Sequence, residues 1–374
     1  MTAEIQGVLT EAEPPPRRPR VRIAMVSSLK ERCGIADYTR YLVAELGKRI
    51  EVAWLVQPDD FAPVMNEADI VHVQHQYFLF GGVAPWRSTF KRFIQQIKAP
   101  LVMTVHEIVT PEGSPPRRLA LTAANRANFR HSSVRAFIVH TEQDRSRLAE
   151  CGVPPDRIHS IFHGVPPRPP LPDRSTARAR LGLTDEFVLT VFGVLSRRKG
   201  HNLALDALAK LPPNVRLILA GGQHPDDHSD YVRELERRSA DPAIGDRVSI
   251  TGYLAPDEAE SVMAATDLVL APFISGSGSG SLAFAFACGK PILASAIPPH
   301  QEICRADPGA MGLFPPGNAQ ALAEAVLLAM RNARSRTRMT EGAQRYAARH
   351  GYDTMAEATI SVYHQVIGAH TPCA

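Results

Sequence analysis

Short apolar runs alternate along the chain with stretches of helical periodicity. The first run, VRIAMVSS at 21–28, is followed by the amphipathic IADYTRYLVAELGKR at 35–49, which is strand-then-helix order. Further strand candidates follow in the first half: EVAWLV (51–56), DIVHVQH (69–75), PLVMTVHEI (100–108), RAFIVHT (135–141) and RIHSIFHG (157–164). Because most of these runs are apolar on both faces, they predict a parallel sheet covered by helices on both sides.

The same alternation restarts after the proline-rich segment VPPRPPLPDRS at 165–175. The second set of strand candidates is FVLTVFG (187–193), VRLILAGG (215–222), VSITGYL (248–254), DLVLAPF (267–273) and PILAS (291–295). The predicted fold class is therefore α/β, with two doubly wound Rossmann-like domains facing each other across a cleft.

These patterns divide the chain into five segments. We expect a disordered tail at 1–18, because its acidic and proline-rich composition buries little surface. A first Rossmann-like domain, expected on the acceptor side, then covers 19–164, and a stiff linker covers 165–175. The second domain, expected to bind the donor, covers 176–350. The last segment, 351–374, is predicted to be a helix that could cross back to the first domain.

Composition and charge narrow the function and the compartment. The formal net charge of +4 is small for 374 residues, and basic and acidic residues are intermingled, so no stripe for nucleic acid or a membrane is expected. The five cysteines are widely spaced without a CxxC pair, which favours a reducing compartment over a disulfide framework. No apolar run is long enough to predict a transmembrane helix, and the N-terminus lacks the order of a signal peptide. We therefore expect a cytoplasmic protein.

The segment SGSGSGSLAFAFACGKP at 275–291 follows a predicted strand and leads into a predicted helix starting near Ser281. In open α/β sheets, ligands bind in the loops beyond the carboxyl ends of the strands. Glycines that permit unusual backbone angles, together with the free N–H groups of a helix start, suit an anion. This predicts an anion cradle made of Ser279, Gly280, Ser281 and Leu282; the alternative is a solvated Gly/Ser spacer.

A second loop of this kind, GVLSRRKGH at 193–201, carries three consecutive cations. Arg197, Arg198 and Lys199 are of the residue types that pair with phosphate oxygens and stabilise charge on a leaving diphosphate. The alternative is that the triplet is an ordinary solvated surface.

Together these segments resemble the family-4 retaining glycosyltransferases of GT-B fold, over nearly the whole chain after the tail. The matching stretches are RCGIADYTRYL (32–42), TVHEI (104–108), FHGV (162–165), GVLSRRKGHNLALDAL (193–208), ITGYL (250–254), ACGKPILAS (287–295) and PPHQEI (298–303). The resemblance rests on the order and spacing of these motifs, since each one alone is weak.

The resemblance implies roles for single residues. Gly34 would let the first loop approach the donor phosphates and sugar, and His106 would meet the sugar hydroxyls or the reacting centre. Lys199 would hold the diphosphate, while Tyr253 and Leu254 would border the base. The donor would be a substrate, a UDP- or GDP-sugar, and such enzymes need neither a cofactor nor a metal.

Three positions depart from the family pattern. Val194 stands where the family usually has an arginine, and Gly276 and Phe284 stand where it often has two glutamates. The diphosphate would then depend on Lys199, with Arg197 or Arg198 as stand-ins. We count Arg198 with His106 and Lys199 among the catalytic candidates, and Arg197 among the donor contacts.

Other histidines, acids and cysteines are weaker candidates for a site. Because His72 and His75 lie three apart on one strand, their side chains point to opposite faces and do not suit one metal. HPDDH at 224–228 has metal-ligand residue types but no further partners in sequence. Two interpretations are left for His140, His163 and Asp37: they line the pocket, or they are ordinary turn residues. Cys288, in an apolar helix end, indicates packing.

Three functions remain open. The first is retaining transfer of a sugar from a nucleotide donor to a small-molecule, glycan or lipid-linked acceptor, with the departing diphosphate stabilised by the two loops. The second is a nucleotide-sugar epimerase, since sugar isomerases share this architecture. The third is a non-catalytic nucleotide-sugar-binding protein, which the missing glutamates favour.

Overall fold

The computed structural model describes residues 21–31, 33–84, 87–111, 113–224 and 229–369. The predicted tail at 1–18, most of the HPDDH cluster and Cys373 lie outside these residues.

The first domain is a parallel six-stranded sheet with the strand order β2-β1-β3-β4-β5-β6. Its elements are β1 (Arg22–Val26), α1 (Gly34–Leu46), β2 (Glu51–Val56), β3 (Ile70–His75), α2 (Phe90–Gln95), β4 (Leu101–Val105), α3 (Pro115–Phe129), β5 (Val134–Val139), α4 (Glu142–Glu150) and β6 (Ile158–Ser160). Strands β3 and β4 are buried along their whole length, as expected for runs that are apolar on both faces.

The second domain is also a parallel six-stranded sheet, with the order β12-β11-β10-β7-β8-β9. Its elements are α5 (Arg174–Arg180), β7 (Phe187–Phe192), α6 (His201–Leu208), β8 (Val215–Ala220), α7 (Tyr231–Ser239), β9 (Val248–Ile250), α8 (Pro256–Ala265), β10 (Leu268–Ala271), α9 (Gly280–Ala287), β11 (Ile292–Ser295), α10 (Pro298–Ala306), β12 (Gly312–Phe314), α11 (Ala319–Arg331) and α12 (Ala333–Arg349). The predicted α/β class with two doubly wound domains is confirmed.

Each of the eleven predicted runs contains a strand, but several strands are shorter than the run. The run 157–164 gives only the three residues of β6, and 248–254 gives only the three residues of β9. Sequence reasoning missed β12, because three residues are too few to show a period.

The chain crosses between the domains twice, and the two crossings are joined. Val165 donates its backbone N–H to His350 O at 2.8 Å, and Tyr352 N donates to Val165 O at 3.3 Å. After this bridge the last helix, α13 (Tyr352–Gly368), packs on α1 of the first domain. A side chain at Gly164 would bring its Cβ within 2.7 Å of the Tyr352 ring, so glycine permits this close approach.

No helix in the described part of the chain is both long and apolar enough to cross a membrane.

Candidate functional site

Lys199 occupies the loop between β7 and α6, where two left-handed glycines shape the backbone. Gly193 has a φ of 107° and Gly200 a φ of 70°. At Gly200 an added Cβ would lie 1.9 Å from Pro272 O, so the loop can close against the β10 loop only with glycine there. The Lys199 ammonium contacts Ser281 Oγ and lies 4.5 Å from the centre of the Phe273 ring.

This ammonium has no carboxylate partner within salt-bridge distance among the residues the structure describes. Burial, and then the nearby Arg198, lowers the pKa of Lys199 to about 7. A partly buried amine beside a helix start gains its missing counter-charge when an anion binds.

The Ser-Gly segment supplies that helix start. Helix α9 begins at Gly280, and Ser279 caps it by accepting from Leu282 N at 3.4 Å. The hydroxyls of Ser279 and Ser281 lie 3.1 Å apart, so the predicted cradle positions meet Lys199 at one place.

The expected reason for the glycines in this segment was wrong. Gly276, Gly278 and Gly280 do not have positive φ angles. Of these three glycines, only Gly278 is required for lack of space. An added Cβ there would lie 2.9 Å from the Cβ of His140 in the facing domain.

The two arginines before Lys199 are engaged elsewhere. Arg197 forms an ion pair of 2.6 Å with Glu234 on α7 and lies over the Tyr231 ring at 4.8 Å. Arg198 reaches across the cleft and pairs with Glu107 at 3.1 Å, directly after His106. Among the described residues, neither arginine forms a hydrogen bond to the proposed cradle. Lys199 is therefore the cation that contacts the cradle.

The predicted base-side residues lie in the loop after β9. Tyr253 is exposed, and an added Cβ at Gly222 would come within 3.0 Å of Tyr253 N, so the loops after β8 and β9 touch. Leu254 packs against the core cluster that contains Val188 and Ile218, and therefore supports the loop from beneath.

In the first domain, His106 belongs to a cluster of rings around the buried Tyr38. The centre of the Tyr38 ring lies 4.7 Å from that of His106, 5.3 Å from His140 and 5.2 Å from His163. Burial lowers the pKa of all three histidines, to about 3 for His163, so they are neutral at physiological pH. Sequence reasoning left His140 and His163 open and did not select Tyr38, whose place in a helical pattern gave no signal of the cluster.

Gly34 and Asp37 stand at the start of α1. An added Cβ at Gly34 would have no atom within 4 Å, so the space above the helix start is open to a ligand. Asp37 forms an exposed ion pair of 3.1 Å with Arg40 on the helix surface and does not line the ring cluster.

The described residues do not form a metal site at His72 and His75. His72 and His75 point to opposite faces as predicted: His72 bonds the Tyr363 hydroxyl, while His75 packs against Phe80 and Phe90. No group of three or more metal-ligating side chains is found among the described residues. Of the 224–228 cluster only His224 is described. Burial raises the pKa of the Cys288 thiol to about 12, in keeping with a packing role.

The positions of the two missing glutamates are apolar. The Phe284 ring packs on Phe192 with a centre-to-centre distance of 5.0 Å, and an added Cβ at Gly276 would lie 3.9 Å from the Phe273 ring.

Two family models match the chain. Residues 63–168 match Glycosyltransferase Family 4, and residues 173–346 match Glycosyl transferases group 1. The protein is a glycosyltransferase, and its two halves match these two glycosyltransferase domain models. The resemblance to family-4 glycosyltransferases of GT-B fold is confirmed, without the stereochemistry of transfer, and with it the assignment of the protein as a glycosyltransferase.

Similar proteins include two named D-inositol 3-phosphate glycosyltransferases. The one from Catenulispora acidiphila is 29% identical over 327 residues, which is 81% of this chain and 73% of the relative. The one from Xylanimonas cellulosilytica is 27% identical over 315 residues, or 78% of this chain and 72% of the relative.

Solved structures share the fold over nearly the whole chain. Anabaena Alr3699/HepE in complex with UDP and glucose matches with a TM-score of 0.74 and 20% identity, over 92% of this chain and 100% of that one. Sucrose-phosphate synthase from Thermosynechococcus elongatus matches with a TM-score of 0.74 and 21% identity, over 94% and 100%. These matches confirm the two-domain GT-B fold.

Proposed function

We propose that this glycosyltransferase transfers a sugar from a UDP- or GDP-sugar to a hydroxyl group with retention of the anomeric configuration, and that it uses no metal ion. The observation that carries the proposal is the Lys199 ammonium, which lies at the start of α9 without a carboxylate partner among the described residues. A fixed cation and helix N–H groups stabilise a departing diphosphate in the way that a divalent ion otherwise does.

In the reaction the bond between the anomeric carbon and the diphosphate oxygen breaks, and the acceptor oxygen bonds to the same face of that carbon. Lys199 and the amides from Ser279 to Leu282 stabilise the charge that develops on the leaving oxygen. The acceptor proton passes to an oxygen of the departing diphosphate, and His106 orients the sugar from the first domain.

Named relatives suggest where to begin with substrates. Relatives are called D-inositol 3-phosphate glycosyltransferases, and a structural neighbour was solved with UDP and glucose. We therefore propose UDP-glucose as the first donor to test and a phosphorylated polyol, a small-molecule acceptor, as the first acceptor. Glycan and lipid-linked acceptors form the rest of the panel.

The test measures UDP or GDP release and product formation with each donor, with and without acceptor. Transfer that depends on acceptor, with the anomeric configuration of the donor kept in the product by NMR coupling constants, supports the proposal. Inverted product contradicts retention, and activity that is lost with EDTA and restored by a divalent ion contradicts metal independence.

The alternatives give different results in the same assay. An epimerase converts the donor sugar without acceptor. A non-catalytic binder, which the apolar positions Gly276 and Phe284 favour, shows a thermal shift with the donor but no conversion of it.

A further inference from the structure

A chain of buried hydrogen bonds runs from the last helix to His106. Tyr363 Oη on α13 lies 2.6 Å from His72 Nδ1, and His72 Nε2 lies 3.4 Å from Gln74 Nε2. Gln74 Oε1 in turn lies 2.9 Å from His106 Nε2. Tyr363, His72 and Gln74 have no exposed surface, so water does not replace these partners.

With the Gln74 amide oriented so that Oε1 faces His106, each bond in the chain takes one direction. Gln74 Oε1 can only accept, so His106 carries its proton on Nε2. The Gln74 amide nitrogen then faces Met25 Sδ at 3.3 Å and His72 Nε2, to which it donates. His72 Nε2 is therefore unprotonated, and its Nδ1–H donates to the Tyr363 hydroxyl. The Thr104 hydroxyl lies 2.8 Å from His72 Nε2 and is the nearer donor, so the Gln74 amide shares one lone pair with it.

Burial keeps the His72 ring neutral, and the chain of hydrogen bonds ends in one free acceptor, Nδ1 of His106. The pKa of His72 is lowered to about 3, so the ring does not take a second proton near neutral pH. With the proton of His106 held on Nε2, its Nδ1 keeps a lone pair, and the described residues offer that atom no hydrogen-bond partner.

We infer that Tyr363, His72 and Gln74 form a positioning relay through which α13 fixes the tautomer and orientation of His106, so that Nδ1 accepts a hydrogen bond from a substrate hydroxyl. The inference rests on the proposed function, because it gives His106 a substrate to orient. It also assigns a role to α13, which follows the donor domain in sequence but packs on the acceptor-side domain.

Removing the Tyr363 hydroxyl should act at a distance on His106. In Tyr363→Phe the buried Nδ1–H of His72 loses its acceptor, which favours the other tautomer of His72. A protonated Nε2 then repels the amide nitrogen of Gln74, so the amide turns over and presents N–H groups to His106. We expect His106 to move its proton to Nδ1, which removes the acceptor from the substrate side.

Two measurements test the relay. In protein labelled with ¹⁵N-histidine, the His106 signals are assigned by their absence in His106→Gln, and we expect the wild type to show the Nε2–H tautomer. Tyr363→Phe and Gln74→Met should shift it toward Nδ1–H. With a donor that is turned over, kcat should fall about three- to tenfold in Tyr363→Phe, the worth of one hydrogen bond, with little change in the donor KM.

Thr359→Val is the matched control. Thr359 lies one turn before Tyr363, is fully buried, and donates its hydroxyl to Met355 O within α13. The variant therefore removes a buried hydroxyl of the same helix without changing the relay. It should keep the wild-type tautomer and kcat.

A wild-type His106 with its proton on Nδ1 would overturn the relay, and so would equal kcat and unchanged tautomer in Tyr363→Phe and Thr359→Val. If the wild type turns over no donor, the proposed function fails, and the tautomer measurement still decides whether the relay exists.

Discussion

At the scale of single residues, the site depends on Lys199, whose positive charge is destabilised by burial until an anion binds. Lys199 is partly buried, close to the cationic Arg198, and without a carboxylate within salt-bridge distance in the described ranges. The sequence predicted this residue because it follows a strand within a basic triplet. It did not distinguish Lys199 from its neighbours, since the pairing of Arg197 with Glu234 and of Arg198 with Glu107 depends on elements distant in sequence.

Lys199→Ala should leave the fold intact and lower turnover by about two powers of ten, the scale seen when one preorganised donor to a developing charge is lost. The measurement is kcat with a productive donor, together with thermal unfolding. Lys210→Ala, which removes an exposed lysine at the end of α6, is the control and should match the wild type. Near-normal turnover in Lys199→Ala would remove this lysine from the mechanism.

The lowered pKa of Lys199 also predicts a pH dependence of donor binding. The free protein holds a charged ammonium below a pKa of about 7 and loses it above, whereas a bound diphosphate favours the charged form and raises that pKa. Binding should therefore take up a proton, and affinity for UDP-glucose should fall as pH rises above 7, by up to about tenfold per unit.

Calorimetry in two buffers of different ionisation enthalpy measures this proton uptake. Lys199→Arg keeps its charge throughout the range and should lose the pH dependence while it still binds. Affinity that is flat from pH 6 to 9 in the wild type would contradict the assignment.

At the scale of elements, the Ser-Gly segment is a docked loop. Ser277 donates to the buried Asp144 of the facing domain at 2.5 Å, and Gly278 lies against His140. Periodicity correctly indicated a loop between a strand and a helix. The reason for its glycines was out of reach of the sequence, because it lies in a side chain from the other domain.

Two glycines in this loop make a matched test. An alanine at Gly278 would bring its Cβ within 2.9 Å of the His140 Cβ and must push the loop away, whereas an alanine at Gly276 meets only the Phe273 ring at 3.9 Å. Gly278→Ala should weaken donor binding and lower turnover; Gly276→Ala should do neither. Calorimetric donor affinities that are equal and near wild type in both folded variants would restore the interpretation of the segment as a spacer.

At the scale of the whole molecule, two sheets meet through contacts of different strength. The crossings at Val165 and His350 are hydrogen bonded to each other, and the carboxylate of Glu302 on α10 accepts from the first N–H of α4 at 3.0 Å. Across the cleft, Arg198 and Glu107 are joined by a pair that is about half exposed, which contributes little. The sequence predicted the two halves and a returning last helix, because each is a long periodic segment. The pairing of the crossings was not predictable from sequence, because it joins residues that are far apart in the chain.

This division predicts where the molecule moves. The docked Ser-Gly segment already joins the two domains, but the paired crossings allow rotation and the Arg198–Glu107 pair is weak. We therefore expect the cleft beside Lys199 to close further over a bound diphosphate and exclude water before transfer. Small-angle scattering should show a smaller radius of gyration with saturating UDP-glucose than without it. Uridine, which lacks the diphosphate that Lys199 and α9 would hold, is the control and should leave the radius unchanged. If UDP-glucose is shown to be bound and the radius of gyration stays the same, the two domains hold a fixed separation. The acceptor must then reach the sugar through a cleft that is already closed enough for transfer.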